Sequence, residues 1–269
     1  MNQAGEVAAR FDVISDIYDE TREPLVDDAM DKVRDLLLRD GCNSIIEVGV
    51  GTGRIAKPLQ ERHFDLVGVD LSVGMLKKAK AKGVQGLVMA DVNHLPARGK
   101  AFDAAIMAHV LHLLESPPDV FRSLASVSRK DVVVLVRKRD ARPASGDALP
   151  KVREVYRRIA AEMGQPISDR RGLWRKKEAD FLSNFPPDEL VTVQDVVVDT
   201  TVGERLSFLE KRPYSWDRDI PDEVFRRAIQ EVRSSVDVDK RIKLRRVEQA
   251  AIYFVNGNEW PGKPGQSKS

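Results

Sequence analysis

Between Ser44 and Arg137 the apolar positions switch repeatedly between two periods. Short β-branched or apolar runs end at acidic or polar residues, and stretches with helical spacing separate them. That rhythm belongs to βαβ units around a parallel sheet. It predicts strands at Ser44–Val48, Asp65–Val69, Gly86–Ala90, Phe102–Ala108 and Asp131–Val136. Helices are predicted over Arg54–Glu61, from Ser72 to Lys80, and over Pro117–Val127. Ser72 and Ser116 are candidate N-caps, and Pro117 stands at a first helical position, where a missing N–H leaves no bond unmade.

Beyond Arg137 the rhythm changes. Ala141–Pro150 reads as a loop. Val152, Val155, Tyr156, Ile159 and Met163 fall at helical spacing within Lys151–Met163. A further helix is expected at Lys176–Phe185 and a strand at Leu190–Val198. Pro221–Val236 is an amphipathic helix with Asp222 and Glu223 in its first turn, and Val247–Val255 is a last strand. Two insertions, Ala141–Pro187 and Thr201–Arg246, thus interrupt the end of the sheet, an edge where insertions commonly build a substrate pocket.

A chain of 269 residues, 42% hydrophobic and 32% charged, suits one α/β domain with an added cap. Its net charge of +2 creates no global field that demands nucleic acid. Basic clusters do occur at Arg137–Arg139, Arg170–Lys177 and Lys240–Arg246, the second containing Trp174, so an RNA-stacking surface is the alternative they offer. The single cysteine, Cys42, excludes an internal disulfide framework and fits a reducing, cytoplasmic setting, where it reads as buried filler. Met1–Arg10 lacks the apolar core of a signal peptide, and no run approaches the roughly 20 apolar residues of a membrane span.

The densest chemical signal is Ser44-Ile-Ile-Glu-Val-Gly-Val-Gly-Thr-Gly53. A buried parallel strand leads into glycines at every second position, Gly49, Gly51 and Gly53, which let the backbone turn tightly against a ligand. The helix expected at Arg54 would aim its free N–H groups at that ligand. A dinucleotide fingerprint needs a sixth-position glycine, and Arg54 stands there instead. Asp70 ends the second strand, where its carboxylate can accept from a ribose diol. Leu71 and Met75 follow, able to flank an adenine or to fill the core. Asp91 ends the third strand, where it can accept from an adenine amine, with Val92 supplying a backbone donor.

The pattern Glu47-x-Gly49-x-Gly51-x-Gly53, with acidic strand ends at Asp70 and Asp91, resembles motif I and the following strands of the class I S-adenosylmethionine-dependent methyltransferases, in their small-molecule, methyltransferase type 11-like branch. The resemblance covers about Ser44 to Arg137. It implies a Rossmann-like α/β fold with a seven-stranded sheet whose last strand is antiparallel, helices on both faces and, from the insertions, a helical cap. It implies a cofactor lying across the first, second and fourth strand ends, which brings in Ala108. Glu47 then orients the glycine turn or receives the methionine amine. Phe11–Arg22 looks like the family's N-terminal Tyr-Asp segment, in which Tyr18 closes over the methionine end.

The organisation expected is an N-terminal helical or lid segment over 1–40, a cofactor-binding core over 41–140, and cap insertions over 141–187 and 201–246. The last strands fall within 188–200 and 247–256, and a tail of Gly, Pro, Ser and Lys over 257–269 is expected to be disordered. The sulfonium of the cofactor is already an activated donor, so a general base is optional. His109 and His112, just past the fourth strand, are the candidates for one. Trp174, Tyr214 and Trp216 are candidates to wall an acceptor. The function implied is methyl transfer to a small-molecule nucleophile, without a metal. An RNA methyltransferase and a non-catalytic cofactor-binding scaffold or regulatory subunit are the other readings.

Overall fold

The computed structural model describes residues 3–22, 25–138, 152–164, 170–212 and 220–255. Two helices, α1 (Gln3–Ile14) and α2 (Asp27–Arg39), precede the sheet. The alternating core follows as β1 (Ser44–Val48), α3 (Ala56–Glu61), β2 (Asp65–Asp70), α4 (Val73–Ala81), β3 (Leu87–Met89), β4 (Phe102–Ala108), α5 (Pro117–Val127) and β5 (Ser128–Lys138). Then come α6 (Val152–Glu162), α7 (Arg170–Asn184), β6 (Glu189–Thr201), α8 (Val202–Glu210), α9 (Asp222–Ser235) and β7 (Arg241–Phe254).

The sheet has seven strands in the order β3-β2-β1-β4-β5-β7-β6. β1 to β5 run parallel, and β7 is antiparallel to both of its neighbours. This is the Rossmann-like arrangement expected. Alternation along each buried strand feeds two cores. Ile45, Ile106 and Val133 pack with Val33 and Leu37 of α2 on one face. Ile46, Met107 and Val134 pack with Phe121 and Leu124 of α5 on the other. Phe181 of α7 joins the second face, with its ring 5.6 Å from that of Phe121.

A third core is built mainly from helices, with the first part of β7 packed against them. Ile159 of α6, Leu206 of α8, and Val224, Phe225 and Ile229 of α9 pack together with Ile242 of β7. Both insertions therefore contribute to one helical cap, while α7, from the first insertion, packs on the main sheet. A capping box starts α8, with Glu204 N–H donating to Thr201 Oγ1 at 3.1 Å and Thr201 N–H to Glu204 Oε2 at 2.9 Å.

Several boundaries differ from the sequence expectation. β7 begins at Arg241, not Val247, and β6 runs to Thr201. Residues Arg241–Arg246 pair with Thr201–Val196, so the last six residues of the second insertion are strand. The Lys240–Arg246 cluster is a period-two strand in which Ile242 is buried and Lys243 and Arg245 are exposed, with Arg245 bound to Asp195 at 2.5 Å. Helix α3 starts at Ala56, two residues later than expected, because residues 51–55 continue the turn. Ser72 caps α4 by accepting from Met75 N–H, whereas Ser116 makes no such bond to the start of α5. Cys42 is fully buried and donates its S–H to Asp131. No helix among the described residues is long and apolar enough to cross a membrane.

Candidate cofactor and acceptor site

The carboxyl ends of β1 and β4 open into a cleft of about 620 Å³, a volume that includes its solvent-facing mouth. The turn after β1 forms its floor. Gly49, Gly51 and Gly53 have φ of 68°, 54° and 77°, all left-handed. Their surroundings differ. A Cβ on Gly49 would lie 2.3 Å from Val110, and one on Gly53 would lie 2.6 Å from Val84. At Gly51 the nearest atom would be the Gly49 oxygen at 3.9 Å. Gly51 therefore leaves open space on the cleft side, the place a closely approaching ligand needs.

Glu47 of β1 lines the same cleft and is 1% exposed. Burial pushes its carboxyl well above the usual carboxylate range, and the charge of Asp70 adds to this, while the Ala56 N–H opposes it. Its Oε2 has no hydrogen-bond partner. A buried acceptor left unsatisfied is expensive and is commonly met by a ligand. Two donors of the following turn are occupied, and an amide of α3 closes on the turn's last carbonyl. Gly51 N–H donates to Asp70 Oδ2 at 2.8 Å, Gly53 N–H to Val50 O, and Lys57 N–H to Gly53 O. The expected helix N-terminus aimed at the ligand is thus replaced by a short helix whose first amide meets Glu47.

Asp70 stands behind the turn. Its second oxygen accepts from Ser72 N–H at 2.8 Å, so one carboxylate ties the glycine turn to the start of α4. Burial pushes its carboxyl up, and the Ser72 and Gly51 amides pull it back. Asp91 lies at the end of β3 with Oδ1 accepting from the backbone and side chain of Asn93 at 2.9 and 2.7 Å. Val92 beside it is half-buried, as is Leu71. Met75 is 2% exposed and belongs to the interior.

The N-terminal segment is fastened over these strand ends. Asp12 Oδ1 accepts from Ser72 Oγ at 2.6 Å and from Gly74 N–H at 2.7 Å. Asp19 accepts from Thr52 Oγ1 at 2.6 Å and pairs with Lys82 at 2.5 Å. These ties place Tyr18 in the cleft wall, with the Arg22 guanidinium 4.8 Å from its ring centre.

Ala108 and His109, at the end of β4, also line the cleft. His109 has φ of 56°, rare for a residue with a side chain, and its N–H donates to Leu135 O at 3.2 Å. Its Nε2 is 3.8 Å from Oε2 of Glu248, a residue of β7 that is 1% exposed. Arg137 binds the other oxygen of Glu248 through Nε at 2.7 Å. His112 sits in a 3-10 turn over Leu111–Leu113 and does not line the cleft.

The cleft thus gathers Tyr18, Glu47, Gly49, Gly51, Ala108 and His109. Gly53 and Asp70 shape the turn from behind, Asp91 and Val92 stand further along the strand ends, and Met75 stays inside. Tyr214 and Trp216 lie outside the described residues, as do the side chain of Trp174, Arg139 and the tail 257–269. Sequence reasoning missed Arg137, Gln194, Arg246 and Glu248 as cleft residues. The signal for Glu248 was present, an acidic residue inside an apolar strand. Among the described residues, no group of three or more His, Cys, Asp or Glu is placed to hold a metal ion.

Residues 46–136 match the family model described as a methyltransferase domain. The chain is 28% identical over 130 residues to a demethylmenaquinone methyltransferase of Renibacterium salmoninarum, an alignment covering 46% of this chain and 54% of that one. It is 31% identical over 91 residues to an uncharacterized protein of Methanocaldococcus jannaschii, covering 34% of this chain and 42% of that one. The chain thus spans about half the length of these curated relatives. Among solved structures, one described as a candidate methyltransferase from an antibiotic biosynthesis pathway in Anabaena variabilis superposes with a TM-score of 0.53. It is 12% identical and covers 82% of this chain and 95% of that one, a likeness of fold alone. The glycine turn, the strand order and this match agree on a methyltransferase domain over residues 46–136.

Proposed function

We propose that this chain transfers a methyl group from S-adenosylmethionine to a nucleophile on a small molecule. The observation that carries the reading is the pairing at the cleft floor of an open glycine turn, at Gly51, with a buried carboxyl oxygen, Glu47 Oε2, that lacks a partner. A cationic amine is the ligand group that satisfies such an oxygen.

The cofactor, when bound, supplies a sulfonium-activated methyl group. Glu47 Oε2 receives its amine, while the bond from Ala56 N–H keeps the glutamate in place. Arg54, half-buried beside the turn, meets its carboxylate. Asp70 keeps the turn in register and offers its remaining lone pairs to the ribose hydroxyls. Asp91 and Val92 serve the adenine edge, and Tyr18 closes the methionine end. His109 takes a proton from the acceptor, and Glu248 stabilises the imidazolium that forms.

Incubation with methyl-labelled S-adenosylmethionine tests this, using a small-molecule extract in one arm and total RNA in the other. Label in the low-molecular-weight fraction, slowed by His109→Asn without loss of cofactor binding, is the expected result. Label only in RNA would overturn the small-molecule reading. Bound cofactor with no transfer in either arm would leave a binding scaffold.

A further inference from the structure

Resting on the methyl-transfer reading, we propose that residues 3–22 form a strap that lifts off α4 to admit S-adenosylmethionine and to release its demethylated product, and that a row of ion pairs makes this exchange faster as salt rises. The strap ends at the cleft. Tyr18 stands in the cleft wall, and Asp19 grips Thr52, between Gly51 and Gly53 of the turn, at 2.6 Å. A ligand seated on that turn enters and leaves past this end of the strap.

Three aspartates fasten the strap along α4, and their partners advance in step with them. Asp12 Oδ1 meets the start of the helix, where it accepts from Ser72 Oγ and Gly74 N–H. Asp16 pairs with Lys78 at 2.7 Å, and Asp19 with Lys82 at 2.5 Å. At the end of the strap Glu20 reaches Lys211 of α8 at 3.8 Å. The approach of α1 to α4 is also close. A Cβ on Gly74 would lie 2.9 Å from Ser15 Oγ and 3.0 Å from Asp12 Oδ1. Glycine is a poor helix former, so its place in the first turn of α4 is explained by the docking of α1 against it.

Apolar burial holds the strap only lightly. Among its described residues Ile14 is the one buried apolar side chain, and it belongs to none of the three cores. The Phe11 and Tyr18 rings, 6.1 Å apart, are half-buried. A segment with few buried apolar contacts opens locally while the sheet stays folded. The ties that remain are polar and wet. The side chains of Asp16 and Lys78 are 84% and 39% exposed, and those of Asp19 and Lys82 are 39% and 37% exposed. Pairs so open to water are individually weak. Salt screens them, because the screening length falls from about 10 Å at 0.1 M to about 3 Å at 1 M. Opening therefore becomes easier as ionic strength rises, and opening steps of this kind commonly limit product release.

The test follows dissociation of labelled S-adenosylhomocysteine from the full chain, chased with unlabelled ligand. The wild-type rate should rise about fivefold between about 0.05 and 0.5 M NaCl. Lys78→Gln and Lys82→Gln together, both on the α4 side and away from the ligand, should raise the low-salt rate about fivefold and remove most of the salt response. Gly74→Ala pushes α1 away without removing a charge. It should raise the rate about tenfold and speed backbone hydrogen exchange in α1, with the global unfolding transition retained. Arg245→Gln, which breaks an exposed pair with Asp195 outside the strap, should change neither the rate nor its salt response. A wild-type rate indifferent to salt, or wild-type rates in both the lysine double variant and Gly74→Ala, overturns the inference while the cofactor site stands. Failure of the wild type to bind S-adenosylhomocysteine overturns the methyl-transfer reading and this inference with it.

Discussion

Asp70 offers a perturbation whose size follows from the geometry. Its two oxygens accept from Gly51 and Ser72 amides, each at 2.8 Å. Bonds to a charged acceptor contribute about 1.5–3 kcal/mol each. Asp70 is half-buried, so water reaches part of what Asp70→Ala vacates, and a stability loss of about 2–4 kcal/mol is expected. If the same carboxylate also receives the ribose, the loss in affinity for S-adenosylhomocysteine falls in the same range, roughly 30- to 1000-fold in Kd. Asp70→Asn should lose less on both scales, since its oxygen still accepts one bond while its amide turns a donor toward the other N–H. Urea denaturation reads the first quantity and titration calorimetry the second. A ligand lacking both ribose hydroxyls separates clamp from contact. Wild type should lose affinity for it, and Asp70→Ala should lose almost nothing further, the coupling expected of groups in contact. Asp70→Ala binding S-adenosylhomocysteine within about threefold of wild type, a difference below roughly 0.7 kcal/mol, would make Asp70 a strand-end charge only.

Glu47 and Asp131 extend the predictions to pH. Burial raises the Glu47 carboxyl, so the free protein holds it neutral at pH values where a partnering ammonium requires it ionised. Cofactor binding should then release a proton, and affinity should rise with pH from the usual carboxylate range upward for as long as the ligand amine stays protonated. Calorimetry in buffers of different ionisation enthalpy should detect that proton, and Glu47→Gln should abolish it; a wild type that releases none would refute the pairing. Asp131 is 2% exposed, and burial pushes its carboxyl up to about 6. An acid with a raised folded value destabilises the native state when ionised, so its penalty is full above about pH 6 and is relieved as pH falls toward 4. A shift of about two units is worth at most about 3 kcal/mol. Asp131→Asn, still able to accept from Cys42, should therefore gain about 1–3 kcal/mol near pH 8 and little near pH 4. A loss of stability near pH 8 would refute this.

The sheet was legible from sequence because its strands are buried on both faces and its turn residues are specific. Ser44–Val48 and Phe102–Ala108 have the bounds their apolar runs indicate. The turn at Gly49–Gly53 was legible because all three glycines adopt conformations that side chains resist. The start of β7 was hidden by composition. In Arg241–Arg246 the outward positions are all basic, so the charge masked a strand with Ile242 and Leu244 inward. The cleft wall formed by β5, β7 and β6 was hidden for another reason. Arg137, Gln194 and Arg246 are far apart in the chain, and only the pairing of β5, β7 and β6, with a bulge before Gln194, brings them together. The fate of the turn's donors was also not readable, since the capture of Gly51 N–H by Asp70 depends on two strand ends meeting.

Titration of the wild-type protein and Gly51→Val with S-adenosylhomocysteine and with NAD tests the cofactor site most directly. A valine at φ of 54° is strained by about 1–3 kcal/mol, and its side chain would enter the open space that Gly51 leaves in the cleft. The wild type should bind one equivalent of S-adenosylhomocysteine and no NAD. Gly51→Val, with a cooperative unfolding transition retained, should bind neither. Tight binding of NAD with none of S-adenosylhomocysteine, or undiminished affinity in a folded Gly51→Val, would contradict the assignment of this cleft.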